Sequence, residues 1–233
     1  MAYVVKVLGE TDYTYLRSRR SANLKWSLVF LTLAVLSVAV VPVWGFLVSL
    51  VFLGMAFALG RTCLSYHKGI IGEKIVAGTL RRLSDEYYVV HDVKLEPASG
   101  NIDHIVFGPN GIFVIETKNY SGLVKCYGDT WYQAKEDSRG VEIKSPSVQV
   151  KNNARQLHGF LETRFSGGYF VNPLLVFTSR FLRVELKDCR VQVVKANKLV
   201  QAIEEHVQEL KYADSDLNQM AESVARVSAS QTS

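Results

Sequence analysis

The sequence predicts an α/β sandwich with a central mixed sheet, preceded by a two-helix transmembrane hairpin. Two observations indicate this fold class. No residue from Trp26 to Leu59 carries a formal charge. After Lys68 the chain alternates runs of β-branched and aromatic residues with stretches of helical spacing. The roughly 140 residues of that second part are enough to enclose one hydrophobic core.

The composition excludes some classes of protein without identifying one. The 233 residues are 48% hydrophobic and 21% charged, with a net charge of +5 and a pI near 9.0. That balance mildly favours anionic partners, either nucleic acid or acidic lipid headgroups. Cys63, Cys126 and Cys189 form no CxxC pair, which argues against a disulfide framework and against a structural zinc site. A reducing compartment fits this cysteine usage.

The apolar block is too long for one ordinary membrane helix. Its 34 residues would extend roughly 50 Å as a single α-helix, against a hydrocarbon core of about 30 Å. Pro42 and Gly45 lie near its middle and favour a tight turn. The sequence therefore predicts two membrane helices near residues 24–41 and 44–61, with Trp44 in the far headgroup layer. Each leg is short, so a re-entrant or interfacial hairpin is a further reading.

Cationic residues flank the block on both sides and predict its orientation. They are Arg17, Arg19, Arg20 and Lys25 before the block, and Arg61 and Lys68 after it. Because positive charge is enriched on the cytosolic side of membrane helices, we expect both ends of the hairpin in the cytosol. The expected location is the cell (inner) membrane, with membrane lipid as a partner and the soluble domain facing the cytoplasm.

The apolar block has two other readings. A single tilted span would place the N-terminus and the soluble domain on opposite sides of the membrane. A signal peptide cleaved at Ala56-Phe57-Ala58 would have an apolar core of roughly 7–15 residues, which is shorter than this block. The hairpin accounts best for the length and for the flanking charges.

The predicted organisation has four parts: a basic cytosolic segment at 1–25, the hairpin at 26–61, one folded domain at 68–212 and a polar tail at 213–233. In the folded domain we expect helices at 69–84, 145–165 and 197–210, and strands at 87–95, 102–107, 111–119, 123–127, 131–134, 174–178 and 190–195. Ser145-Pro146 is typical of an N-cap followed by the first helical residue.

Three charged residues interrupt two apolar strands that the turn Gly108-Pro109-Asn110-Gly111 joins. Glu116 and Lys118 are two apart on one strand and therefore project from the same face. Asp103 lies on the other strand and shares that face if the hairpin loop has an even number of residues. A three-residue loop would send Asp103 to the opposite face.

This arrangement suits divalent metal chemistry. Two neighbouring carboxylates, Asp103 and Glu116, form a natural site for Mg²⁺ or Mn²⁺, hard ions that take oxygen ligands and keep several waters. Lys118 beside them can orient or deprotonate a water and neutralise charge on a phosphate. The alternative is a structural ion pair between Lys118 and one of the acids, although burying such charges is costly without a function.

Two further polar residues are candidates for the same site. Glu73 heads a core-facing helical stripe and can reach the metal, or it is a first-turn acid favoured by the helix dipole. Gln149 and Asn153 lie one turn apart on the helix that begins at Pro146. Their amides can bind a metal water, a phosphate or a base edge, or they can hold the helix against the sheet.

These residues together resemble the nuclease-related domain (NERD) family of the PD-(D/E)XK nuclease superfamily. The resemblance covers roughly residues 68 to 200 and rests on Gly72-Glu73, Ile102-Asp103-His104, the run from Gly108 to Asn119, Gly122, Trp131 and the spacing of Pro146, Gln149, Asn153 and Leu157. It implies a restriction-endonuclease-like core with Asp103, Glu116 and Lys118 as the catalytic set. Glu73 and Gln149 match accessory positions, and Ser145 stands where the family usually has Asn.

The resemblance implies an enzyme that cleaves DNA phosphodiester bonds with Mg²⁺ or Mn²⁺, held by Asp103, Glu116 and Glu73. Anchored at the cytosolic membrane face, it would suit defence against incoming DNA. The alternative is a catalytically silent module with a nuclease fold that binds nucleic acid or a protein partner. Many relatives of this fold act as dimers, so a homodimer is also compatible with the resemblance.

Overall fold

The computed structural model describes residues 7–8, 14–40, 45–95, 100–135, 140–165, 167–207 and 212–230. The chain divides into two compact units. One unit consists of Tyr13–Ile71, and the other consists of Met1–Asp12 together with Gly72–Ser233.

The first unit contains two long helices that pack against each other in antiparallel fashion. Helix α1 spans Thr14–Val40, and α2 spans Gly45–Leu80, of which the part before Gly72 lies in this unit. The hydroxyl of Ser27 donates to the carbonyl of Ala56 at 2.9 Å. The rings of Phe30 and Phe52 stack with centroids 6.0 Å apart. Most of the apolar side chains on both helices are exposed within this unit.

Among the described residues, one helix, Phe46–Leu80, is long and apolar enough to cross a membrane, with a mean hydropathy of 1.9 in its most apolar window. Its charge-free part ends at Leu59, and the residues from Gly72 onward belong to the other unit. The predicted turn, including Trp44, lies outside the described residues. Two separate membrane helices therefore remain a prediction, which we take up below.

The helix boundaries differ from those predicted. Helix α1 begins at Thr14 rather than near 24, and α2 continues to Leu80 rather than ending near 61. The separate helix predicted at 69–84 is thus the last part of α2. The reason is that no proline occurs between Gly45 and Leu80, and glycines alone weaken a helix by only about 1 kcal/mol each without ending it.

The described residues of the second unit contain ten strands in two mixed sheets rather than the single central sheet predicted. The strands are β1 (Val7–Leu8), β2 (Tyr88–Lys94), β3 (Asn101–Gly108), β4 (Gly111–Lys118), β5 (Gly122–Tyr127), β6 (Thr130–Ala134), β7 (Val141–Ile143), β8 (Val171–Phe177), β9 (Leu182–Lys187) and β10 (Gln192–Lys195). The larger sheet has the order β1-β2-β3-β4-β8-β10, and the smaller has the order β7-β6-β5-β9. The prediction missed β1, β7 and β9.

Two chain segments cross side by side from the larger sheet to the smaller one. β4 pairs with β8 in parallel, and their continuations β5 and β9 are also parallel. The amide of Thr178 donates to the carbonyl of Lys118 at 3.1 Å, and that of Gly122 donates to the carbonyl of Phe181 at 3.1 Å. We call residues 119–121 and 178–181 the twin connectors. They lie where β4 and β8 end.

The hairpin between β3 and β4 has the even loop that the parity argument required. Gly108 pairs with Gly111, so the loop consists of Pro109 and Asn110, and the register continues to His104 opposite Ile115. The side chain of Asn110 holds the loop, because it accepts from the Tyr87 hydroxyl at 3.0 Å and donates to the carbonyl of Ile203. The two-residue loop confirms the predicted condition that the hairpin loop has an even number of residues.

Helices cover both faces of the larger sheet. Helix α3 (Pro146–Arg164) and helix α5 (Asp214–Ser230) pack on one side, and the end of α2 with the short helix α4 (Leu199–Glu204) packs on the other. As predicted, Ser145 caps α3 by accepting from the amide of Val148. The predicted third helix is shorter than expected, since α4 ends at Glu204, and 208–211 lie outside the described residues.

The C-terminal segment is part of the core instead of the polar tail predicted at 213–233. Four residues of α5 are buried in the core beside β2 and β3: Leu217, Met220, Ala221 and Val224. Their spacing is that of one helical face. The polar residues between them lie on the opposite face of the helix. Their number makes the sequence of this segment resemble a polar tail.

Candidate active site

Glu116 and Lys118 form a buried ion pair near the end of β4. Glu116 is 1% exposed, and its Oε1 lies 2.5 Å from the Nζ of Lys118. Helix α3 packs on this face of the sheet, and two of its amide side chains contact the ion pair. Lys118 Nζ donates to Gln149 Oε1 at 3.2 Å, and Asn153 Nδ2 donates to Glu116 Oε2 at 3.3 Å. The predicted residues Glu116, Lys118 and Gln149 are therefore in direct contact.

Asp103 reaches the same place from β3. The ladder between β3 and β4 runs as far as His104 opposite Ile115. At the next position the Asp103 carboxylate itself accepts a hydrogen bond, at 2.7 Å, from the backbone amide of Thr117. Since Thr117 lies between Glu116 and Lys118, this bond holds the Asp103 side chain beside both of them.

The carboxylates of the site repel one another in a dry environment. Burial raises the pKa of Asp103 well above its usual range, and the charges of Glu116 and Glu73 raise it further. Burial also raises the pKa of Glu116, although Lys118 opposes that rise. The Asp103 carboxyl therefore holds its proton to a higher pH than a solvated carboxyl does, which limits the negative charge beside the ammonium of Lys118.

Lys118 keeps its proton firmly. Burial lowers the pKa of its ammonium, but the neighbouring Glu116 and Asp103 outweigh that effect, and the net result is a raised pKa. A lysine of this kind is an ammonium at neutral pH. It can donate hydrogen bonds and neutralise anionic charge, but it is a poor general base.

Glu73 lies in the field of these charges. It is half-buried on the part of α2 that belongs to the second unit. Burial, followed by the charges of Asp92 and Glu116, raises its pKa to about 8. Gly72 allows this close approach, because a Cβ there would lie 3.2 Å from the side chains of both Asn119 and Thr178. Glu73 thus influences the site through its charge.

The residues fit a two-carboxylate ion site better than the three-carboxylate set predicted. Among the described residues, no group of three His, Cys, Asp or Glu side chains is placed to hold a metal ion. Both oxygens of Glu116 already have partners in Lys118 and Asn153. Mg²⁺ needs only one or two protein carboxylates, because waters and substrate phosphates fill the other positions. The raised pKa values of Asp103 and Glu73 show that their charged forms are poorly stabilised, and a bound cation would stabilise them.

Three residues near the site were not predicted. Asp92 lies on β2 with a φ of 51°, and its charge raises the pKa of Glu73. Lys144, just before α3, lowers the pKa of Glu116. Tyr120 follows β4, and its pKa is raised by burial despite the opposing charge of Lys118. Of these, Asp92 had a signal in the sequence, since it interrupts an apolar strand as Asp103 does.

His104 belongs to a different contact. It is 1% exposed, and its Nδ1 lies 2.7 Å from the Nδ1 of His91 on β2. Burial lowers the pKa of both rings, to about 4 for His91. Both histidines are therefore neutral at pH 7, and neither contacts the residues of the candidate site described above.

The residues of this site lie in a stretch of sequence that matches a known family. Residues 68–178 match the family NERD, the nuclease-related domain. The matched stretch contains all five predicted site residues: Glu73, Asp103, Glu116, Lys118 and Gln149.

One relative and one negative result accompany the NERD match. An uncharacterized protein of Bacillus anthracis is 41% identical over 86 residues, which are 35% of this chain and 39% of that protein. The chain thus spans less than half the length of that relative. No solved structure matches the chain significantly. The NERD match therefore gives a nuclease-related function at the level of the domain.

Proposed function

We propose that this chain is a membrane-anchored, metal-dependent nuclease that cleaves DNA phosphodiester bonds at the cytosolic face of the cell (inner) membrane. The observation that carries the proposal is the contact of Lys118 Nζ with both Glu116 Oε1 and Gln149 Oε1, beside an Asp103 carboxylate held by the Thr117 amide. This set lies at the end of β4 within the NERD match.

A purely structural ion pair accounts for less of this arrangement. The pair Glu116–Lys118 alone would satisfy both charges, and the cost of burying it would be met by the pairing and by Asn153. Asp103 and Glu73 add two further carboxylates, and the same burial that hides them raises their pKa. Buried groups with strongly perturbed pKa values around one point are typical of functional sites.

The residues divide naturally into roles. Asp103 and Glu116 would hold a divalent ion, with Glu73 close enough to contribute charge. A bound Mg²⁺ or Mn²⁺ supplies Lewis-acid polarisation of the phosphate and activation of a water. The ammonium of Lys118 neutralises charge that develops on the phosphate and orients the attacking water. Its raised pKa argues against the alternative role of removing a proton from that water.

The amides on α3 position these groups. Gln149 accepts from Lys118 and fixes its ammonium, while Asn153 donates to the second oxygen of Glu116. Both therefore restrict the rotamers of the residues that would contact substrate and ion. Precise positioning of this kind is a large part of phosphoryl-transfer catalysis.

The membrane anchor is supported by α1 and α2. Their antiparallel contacts and their exposed apolar side chains fit a helical hairpin in lipid. The cations on both flanks favour a cytosolic location of both ends. A nuclease held at this position would meet DNA as it enters the cell, so defence against incoming DNA is the role we propose.

A silent binding module is the second candidate. The observation that favours it is that Lys118 already occupies one oxygen of Glu116, and that no group of three metal ligands is gathered among the described residues. In that case the same fold would bind nucleic acid or a protein partner without cleavage.

A cleavage assay distinguishes the two candidates. The full chain, purified in detergent, is incubated with supercoiled plasmid or circular single-stranded DNA, with Mg²⁺, Mn²⁺ or EDTA. We expect cleavage that needs the ion and that falls by about 100-fold or more in both Glu116→Gln and Lys118→Met. Glu222→Gln, which alters an exposed ion pair with Arg226, serves as the matched control. The enzyme proposal fails if no ion supports cleavage, or if all three variants cleave alike.

A further inference from the structure

An exposed aromatic side chain stands beside the candidate site on one of the twin connectors. Phe181 is 73% exposed, and the guanidinium of Arg180 lies 5.0 Å from the centroid of its ring. The connector that carries both residues begins at Thr178, whose amide is bound to the carbonyl of Lys118. The carbonyl of Phe181 in turn accepts from Gly122 on the other connector.

These two hydrogen bonds fix the place of the Arg180–Phe181 tip. One end of its connector is attached directly to Lys118, and the other end begins β9. The tip is therefore held by backbone contacts next to the end of β4. The exposed face of such an aromatic ring can stack on a planar group such as a nucleobase, and the adjacent guanidinium adds a positive charge beside it.

A basic groove continues from the tip over the smaller sheet. It has a volume of about 600 Å³, and its lining combines three apolar residues with three cationic side chains and one carboxylate: Leu123, Leu182, Val184, Lys125, Arg183, Lys195 and Glu185. Lys125 and Glu185 pair at 3.2 Å. Lys195 lies opposite Phe177 in the register, so it marks the same edge of the larger sheet at which β4 and β8 end. The excess of positive charge in the groove complements a polyanion.

We propose that the Arg180–Phe181 tip is a stacking platform for an unpaired nucleobase, so that the substrate of this site is single-stranded nucleic acid. The inference rests on the proposed nuclease function and names its substrate class. An aromatic ring beside a basic groove is the arrangement by which proteins bind single strands, because every base has a π-face and every nucleotide has a phosphate. In a duplex the base faces are stacked on one another and are closed to such a ring.

The strand follows a simple path in this arrangement. One base stacks on Phe181, and the phosphates next to that base lie along the groove. Arg180 contributes to both contacts, since its guanidinium lies over the ring and its charge faces a phosphate.

The test measures binding without cleavage. A fluorescein-labelled oligothymidine of about 20 nucleotides, longer than the ~4–16 nucleotides that one single-strand fold covers, is titrated with the full chain in EDTA, alone and annealed to its complement. We expect the single strand to bind more tightly than the duplex. Phe181→Ala should weaken single-strand binding by about 5- to 150-fold, the loss that follows removal of one base–aromatic stack.

Matched controls separate stacking from general damage. Phe170→Ala removes another aromatic residue, 61% exposed, that lies away from the twin connectors, and it should leave binding unchanged. Arg180→Ala should lower the slope of log affinity against log salt by about 0.7, the value for one phosphate contact on a single strand. Arg226→Ala, on α5, should not change that slope. Circular dichroism of each variant verifies that its fold is intact.

The outcomes for this inference and for the nuclease proposal are distinct. If Glu116-dependent cleavage is present but Phe181→Ala binds single strands as the unaltered chain does, the stacking platform is wrong and the nuclease stands. If Phe181-dependent binding is present without cleavage, the nuclease is wrong and the single-strand surface stands. Equal binding of duplex and single strand, or no binding of either, overturns the inference.

Discussion

Lys118 determines the charge state of the candidate site at the scale of single residues. Its ammonium is shared between Glu116 and Gln149, and its raised pKa keeps it positive. The sequence predicted this meeting of Asp103, Glu116 and Lys118 from strand parity and an even hairpin loop. It could not predict the hydrogen bond from the Thr117 amide to Asp103, because the ladder stops one residue earlier and parity describes only regular strands.

Removing the ammonium of Lys118 should destabilise the chain. In Lys118→Met the carboxylate of Glu116 stays buried without its cation, and we expect a loss on the order of 1–3 kcal/mol in the free energy of unfolding, below the full cost for a wholly buried pair. The double variant Glu116→Gln/Lys118→Met should recover most of that loss, because no charge is left unpaired. Denaturant unfolding measures both. Additive losses in the double variant would contradict the coupling.

The stability of the metal-free chain should depend on Glu73 in a defined pH window. Its pKa is about 8 in the folded chain and near 4.5 when exposed. The folded state therefore holds a proton that the unfolded state releases, and the resulting stability is present below pH 4.5 and is lost as the pH rises to 8. Relative to the unaltered chain, Glu73→Gln should gain on the order of 1–3 kcal/mol across that window.

Thermal unfolding in EDTA at a series of pH values checks this expectation. Gln219→Ala, which alters an exposed residue without a titratable group, should show a difference from the unaltered chain that stays constant with pH. A constant difference for Glu73→Gln as well would show that Glu73 titrates normally in the fold.

The elements that the sequence predicted best are those with one clear pattern. The β3–β4 hairpin and the start of α3 at Pro146 were predicted because turn and cap residues fix them locally. The two-sheet arrangement was not, because the crossing of β4 and β8 into β5 and β9 depends on pairing between distant segments. β9 was missed because half of its residues are exposed charged side chains, so the strand has too few apolar residues for a hydrophobic pattern to reveal it.

Helix α5 is the element whose contribution is easiest to measure. Met220 is fully buried in the core on the α3 side. Met220→Ala should lower the free energy of unfolding by about 2–5 kcal/mol through lost packing and a residual cavity. Arg226→Ala on the exposed face should change it by less than about 0.5 kcal/mol. Denaturant unfolding compares the two. Equal, small effects would mean that 214–230 behaves as part of the polar tail predicted at 213–233.

The whole molecule combines a nuclease-related unit with an apolar helical unit. We expect the chain to remain in the membrane fraction after washing with high salt and at alkaline pH, and to be released by detergent. The physical reason is that lipid would bury the apolar side chains exposed along α1 and α2 in the proposed anchor, whereas salt removes only electrostatic binding. Release by salt alone would indicate a peripheral attachment through the basic flanks and would contradict the anchor.

The account depends most on the ability of Asp103 and Glu116 to share a divalent cation. Calorimetric titration of the full chain with Mn²⁺, without any DNA, tests this directly. We expect one site whose affinity rises with pH and whose binding releases protons, since the raised pKa values of Asp103 and Glu73 mean that an ion must displace protons there. Asp103→Asn and Glu116→Gln should each abolish the site, and Glu222→Gln should keep it. Absence of Mn²⁺ binding, or binding that survives in both site variants, would contradict the metal-dependent nuclease.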